Sequence, residues 1–125
     1  MYMNSTFVET THNNFGFYSL TTLKTIEFIE LDSVNYLING FCANCSNLEY
    51  VNLNGCKNII TIPEGFCSNC SKLETVDMKQ LTNIVNINTG AFATCVSLKN
   101  IIFPKLLKKL ANLNSAFCLG CTGLE

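Results

Sequence analysis

The sequence predicts a solenoid of four to five stacked 25-residue repeats, mostly parallel β-structure with short 3₁₀ turns, and three observations carry that reading. Shifted by 25 residues, 40–64 aligns with 65–89 at 12 of 25 identical positions, and self-similarity at a period of 20–50 marks a stacked architecture. The same offset lines up apolar columns: Leu23, Leu48, Leu73 and Leu98; then Ile26, Val51, Val76 and Ile101; then Phe28, Leu53, Met78 and Phe103. Beyond these, apolar residues recur every third position (Leu31, Val34, Leu37 and their equivalents), too short a period for an α-helix and suited to tight turns.

Each element follows from these columns in chain order. The two-residue step from the second column to the third is a strand signature, because alternate residues of a strand face one side. It places strands over about residues 24–28, 49–53, 74–78 and 99–103. Some twenty residues of return path separate successive strands, so they must run parallel. A one-residue slip in the third full repeat carries the later columns to Leu107, Leu110, Leu113, Cys121 and Leu124. Residues 1–16 form an N-terminal segment whose Phe7, Val8 and Phe15, with the adjoining Phe17, could cap the stack, and the repeats fill 17–125 with the last one incomplete. That open C-terminal end is expected either to continue in a longer array or to pair with a second copy to give a homo-oligomer.

Within this frame, Gly40-Phe41-Cys42-Ala43-Asn44-Cys45-Ser46-Asn47-Leu48, Ala91-Phe92-Ala93-Thr94-Cys95-Val96-Ser97-Leu98 and Ala116-Phe117-Cys118-Leu119-Gly120-Cys121 resemble the A-F-x-x-C-x-x-L signature of BspA-like leucine-rich repeats. Phe103-Pro104 resembles the L-P that follows the strand in that family. The resemblance implies a leucine-rich-repeat solenoid of the α/β class that works as a non-catalytic module. It further implies that the chain binds a protein partner through the exposed face of its parallel strands, and it implies a cell-surface setting.

Composition narrows the alternatives. Hydrophobic residues make up 48% and charged residues 14%, which excludes disorder driven by charge. The net charge is −1, with eight lysines and no arginine, so the basic stripe of a nucleic-acid binder is missing. No apolar run reaches the ~18 residues of a membrane helix, so membrane insertion is not expected. No signal-peptide pattern opens the sequence, which by default suggests the cytoplasm and reduced thiols.

Three C-x-x-C pairs, Cys42/Cys45, Cys67/Cys70 and Cys118/Cys121, have the spacing of zinc knuckles, and a zinc-stabilised domain built on Cys42, Cys45, Cys67 and Cys70 is the alternative reading. The repeat frame favours packing instead, since the first cysteine column also holds Phe17 and Phe92 and the second also holds Leu20. No metal or other cofactor is therefore expected. Catalysis lacks its parts: His12 is the single histidine and lies in the polar N-terminal segment. The basic group Lys105, Lys108 and Lys109 reads as a solvated turn. The candidate binding residues are the outward strand positions Glu27, Tyr50, Asn52, Thr75, Asp77 and Asn100, with Tyr50 first because interface hot spots favour aromatics.

Overall fold

Left-handed backbone positions recur in every repeat and turn the chain back on itself. Gly40, Gly65 and Gly90 take φ of 67°, 63° and 65°, and Ser19, Asn44, Asn69, Thr94 and Gly120 form a second left-handed column. Glycine and asparagine visit this region at little cost, which explains their recurrence. The computed structural model describes residues 6–9, 19–32, 34–105, 112–113 and 116–123. His12, Phe15, Phe17, Leu107, Lys108, Lys109, Leu110 and Leu124 lie outside the described residues.

The asparagine column is also a side-chain ladder: Asn69 Nδ2 donates to Asn44 Oδ1 at 3.0 Å, and Thr94 Oγ1 donates to Asn69 Oδ1. Thr94, at φ 56°, is the one β-branched residue in this column and the least suited to it. Thr94→Asn is expected to stabilise the protein by about 0.5–1 kcal/mol, because asparagine tolerates the conformation and its amide can still donate to Asn69. Urea unfolding checks this, and a lowered midpoint would show that the Thr94 hydroxyl outweighs the backbone strain.

Among the described residues eight strands follow in order: β1 (Thr6–Glu9), β2 (Thr25–Phe28), β3 (Tyr50–Asn52), β4 (Thr61–Ile62), β5 (Thr75–Asp77), β6 (Asn86–Ile87), β7 (Asn100–Ile102) and β8 (Asn112–Leu113). Five form a parallel sheet in the order β1-β2-β3-β5-β7, and the other three form a second parallel sheet, β4-β6-β8. The register matches the sequence columns, with Ile26, Val51, Val76 and Ile101 side by side. The slip is visible as well, since Ile62 pairs with Ile87 but Ile87 pairs with Leu113.

Between strands the return path is a chain of single turns. Val34 N–H donates to Leu31 O at 3.0 Å, Cys56 to Leu53 at 2.9 Å and Leu81 to Met78 at 3.0 Å, each three residues back. These are the expected tight turns, and no helix forms among the described residues. The second sheet was not anticipated. The segment read as a candidate cap contributes β1, which lies against β2. No helix among the described residues is long and apolar enough to cross a membrane.

The core lies between the two sheets. Leu23, Ile26, Leu48, Val51, Leu73, Val76 and Leu98 are wholly buried. A file of rings runs along the stack axis, with centroid separations of 5.6 Å for Phe28–Phe41, 5.8 Å for Phe41–Phe66 and 6.2 Å for Phe66–Phe92. The last coil is less covered: Phe117, Cys118 and Cys121 are only partly buried, whereas Phe66, Cys67 and Cys70 are wholly so.

Candidate functional site

The outward face of the five-stranded sheet is built by the pleat. With Ile26, Val51 and Val76 facing the core, the residues on either side of each face away from it, and the register stacks them. One column is Thr25, Tyr50, Thr75 and Asn100, and the next is Glu27, Asn52, Asp77 and Ile102. The structure thus brings all six expected binding residues onto two adjacent columns. Tyr50 sits half-buried between two threonines, Asn100 is exposed, and Ile102 is 40% exposed.

Just before the strands, Lys24, Glu49, Glu74 and Lys99 form an exposed charged column. Lys99 Nζ lies 3.7 Å from Glu74 Oε1, and at such exposure the pair adds little stability. Its consequence is a face with two glutamates at its centre and a lysine at each margin.

Asp77 corrects an expectation. An outward strand position predicts an exposed carboxylate, yet Asp77 is only 4% exposed. Its Oδ1 accepts the Lys79 N–H at 3.2 Å and its Oδ2 accepts Lys79 Nζ at 3.3 Å. Burial pushes its carboxyl up, but hydrogen bonds from Asn54 and Lys79 outweigh that and hold it below the usual carboxylate range. Asn52 acts alike, its Oδ1 accepting the Asn54 N–H at 2.9 Å. Both side chains therefore bond the backbone two residues on and end their strands in Asx turns. The patterns Asn52-Leu53-Asn54 and Asp77-Met78-Lys79 carried that signal in the sequence.

The cysteines have a structural task beyond filling volume. None of the eight forms a disulfide, and six are buried. The cysteine of the second column turns its thiol toward a main-chain carbonyl of the preceding repeat: Cys70 Sγ to Cys42 O at 3.1 Å, Cys95 Sγ to Cys67 O at 2.9 Å, and Cys121 Sγ to Phe92 O at 2.9 Å. A small, weakly donating side chain suits that seat, since it fills the core and bonds a buried acceptor together. Burial pushes the Cys42 thiol well above its ordinary range, and burial with the neighbouring Cys121 pushes Cys118 up to about 12. Among the described residues no group of three or more His, Cys, Asp or Glu is placed to hold a metal ion, so the Cys42/Cys45/Cys67/Cys70 zinc reading is not favoured.

A further feature of this face is not predicted by the repeat pattern. Beyond the ends of β2 and β3 the face runs into an open cavity of about 300 Å³, lined among others by Asn52, Asn54, Gly55, Glu30, Asp32 and Gln80. Its one sequence signal is Gly55, which interrupts the column of long polar side chains Glu30, Gln80 and Lys105.

No curated protein and no solved structure gives a significant match to the chain. The family model for the BspA type leucine rich repeat region does match, in six copies across residues 6–124, and with the parallel repeat register described above this places the chain in that family.

Proposed function

We propose that this chain is a non-catalytic protein-interaction module that holds a protein partner against the outward face of its five-stranded sheet. The observation that carries the reading is the unbroken register of that face, where Thr25, Tyr50, Thr75 and Asn100 present one aromatic among small polar side chains. Family membership supports it, because leucine-rich repeats generally serve interaction rather than catalysis. Glu27, Glu49 and Glu74 against Lys24 and Lys99 favour a partner with a basic surface. Asn52 and Asp77 hold the strand ends, so contact falls chiefly to Glu27, Tyr50, Thr75 and Asn100.

A photoreactive residue at position 50 is expected to cross-link the partner, and one at position 60, beside the second sheet, is not. With the partner in hand, Tyr50→Ala should weaken binding by about 1–2 kcal/mol, roughly 5–30-fold, at an unchanged unfolding midpoint. Equal cross-linking from both positions, or equal affinity of Tyr50→Ala, would sink the assignment.

A further inference from the structure

We propose that the cavity beyond β2 and β3 is a slot for an arginine side chain of the protein partner, an inference that rests on the strand-face reading above. Glu30, Gly55 and Gln80 occupy equivalent positions in three successive repeats. With strands ~4.8 Å apart, Glu30 and Gln80 stand roughly 10 Å from one another, on either side of a position that carries no side chain. Backbone closes the space directly against Gly55, where a Cβ would stand 1.9 Å from Phe28 O and 2.7 Å from Ile29 N, so no side chain can fill the middle position and main chain lines the cavity there. Leu31 N–H bonds Gly55 O at 2.9 Å and holds the two coils at that approach.

The slot opens onto the binding face, since Asn52 belongs to the outward column and also lines the cavity. Its walls are rich in acceptors. Glu30 is exposed, and no described ion pair engages it. Asp32 meets Lys57 Nζ only at 4.0 Å, with both side chains more than half exposed, so that contact is weak and leaves carboxylate oxygen available. Two carboxylates against one ammonium leave the lining net negative.

A guanidinium answers this arrangement. It is planar, so it can enter a slot one repeat wide edge-on, and it carries five donors and no acceptor. It also meets carboxylates through paired N–H bonds that an ammonium cannot reproduce. These 125 residues contain no arginine, so a second copy of them cannot supply the occupant.

The test is an NMR titration of the ¹⁵N-labelled chain with N-acetyl-arginine amide, and in parallel with N-acetyl-lysine amide. For a lone side chain we expect saturable shifts at the amides of Gly55, Asn54 and Gln80 with a Kd of about 1–10 mM. Binding should fall at least about fivefold in Glu30→Gln/Asp32→Asn, and the lysine probe should bind at least about threefold more weakly. Shifts that are absent, spread over the surface, equal for both probes or unchanged in the double variant would overturn the slot. Because the probe is a single amino acid, its failure removes the slot and leaves the Tyr50 reading standing. Conversely, specific arginine binding beside a Tyr50→Ala variant of full partner affinity keeps the slot and removes the face.

Discussion

Phe66→Ala is expected to cost about 3–5 kcal/mol, and adding Cys67→Phe to it should restore most of that loss. Phe66 lies wholly buried in the middle of the ring file, 5.8 Å from Phe41 and 6.2 Å from Phe92, so its truncation opens a cavity that neither neighbour can close alone. The adjoining repeats show how the volume can be supplied differently. Phe41-Cys42 and Phe66-Cys67 place the large side chain first, whereas Ala91-Phe92 places it second, and all six residues are buried. Either order fills the layer with one large and one small side chain, and cores accept such exchanges when total volume is kept. Cys67→Phe alone overfills the layer and should cost about 1–3 kcal/mol. A double-mutant cycle by urea unfolding should therefore give a coupling of about 2 kcal/mol or more in favour of the pair. Additive losses would show that positions 66 and 67 do not share one space.

That exchange shows why the columns could be read before the structure. Ring and thiol substitute for one another in the first cysteine column, and a position that accepts both Phe and Cys is defined by packing rather than by sulfur chemistry. The strand register was legible for the same reason: each main-sheet strand has two flanking inward columns, and the alternation around Val51 and Val76 has no other simple source. The second sheet was not legible. Its strands are two residues long and turn a single side chain inward, Ile62 or Ile87, so no alternation exists to separate them from the three-residue rhythm of the turns.

The site was legible in outline and not in detail. Period two places Asp77 outward, and the chain does present it on that column. Its burial depends on where β5 stops, because a strand ending at Asp77 lets the carboxylate curl onto Lys79 rather than reach for solvent. Likewise Gly55 is a plain break in a polar column until the Phe28 carbonyl is seen where a side chain would stand. The thiol–carbonyl bonds join residues 28 or 29 apart, and only the stacking distance between coils reveals them.

Val76→Asp tests the register itself, and its pH response separates a buried charge from a simple loss of volume. Val76 is wholly buried between Val51 and Ile101, so an aspartate there has no ionic partner and no water. An unpaired buried carboxylate costs several kcal/mol, a large share of the ~5–15 kcal/mol typical of a whole domain, and the variant is expected to be largely unfolded at pH 7. Burial raises the folded pKa of such a group above its unfolded value near 3.9, so the native form binds the extra proton. The penalty is then complete above the raised pKa and shrinks as pH falls toward about 4, so the variant should regain structure in mild acid. The unaltered chain should move the other way. Asp77 is held below its ordinary pKa, so its contribution is present above about 4 and is lost as pH falls through the depressed folded value. Thr75→Asp, one residue earlier and on the outward side, should cost less than about 0.5 kcal/mol at neutral pH. Circular dichroism of the three chains between pH 2 and pH 7 decides the matter: equal loss at positions 75 and 76 would mean that Val76 does not face the core, and a Val76→Asp deficit that ignores pH would mean lost volume in place of a buried charge.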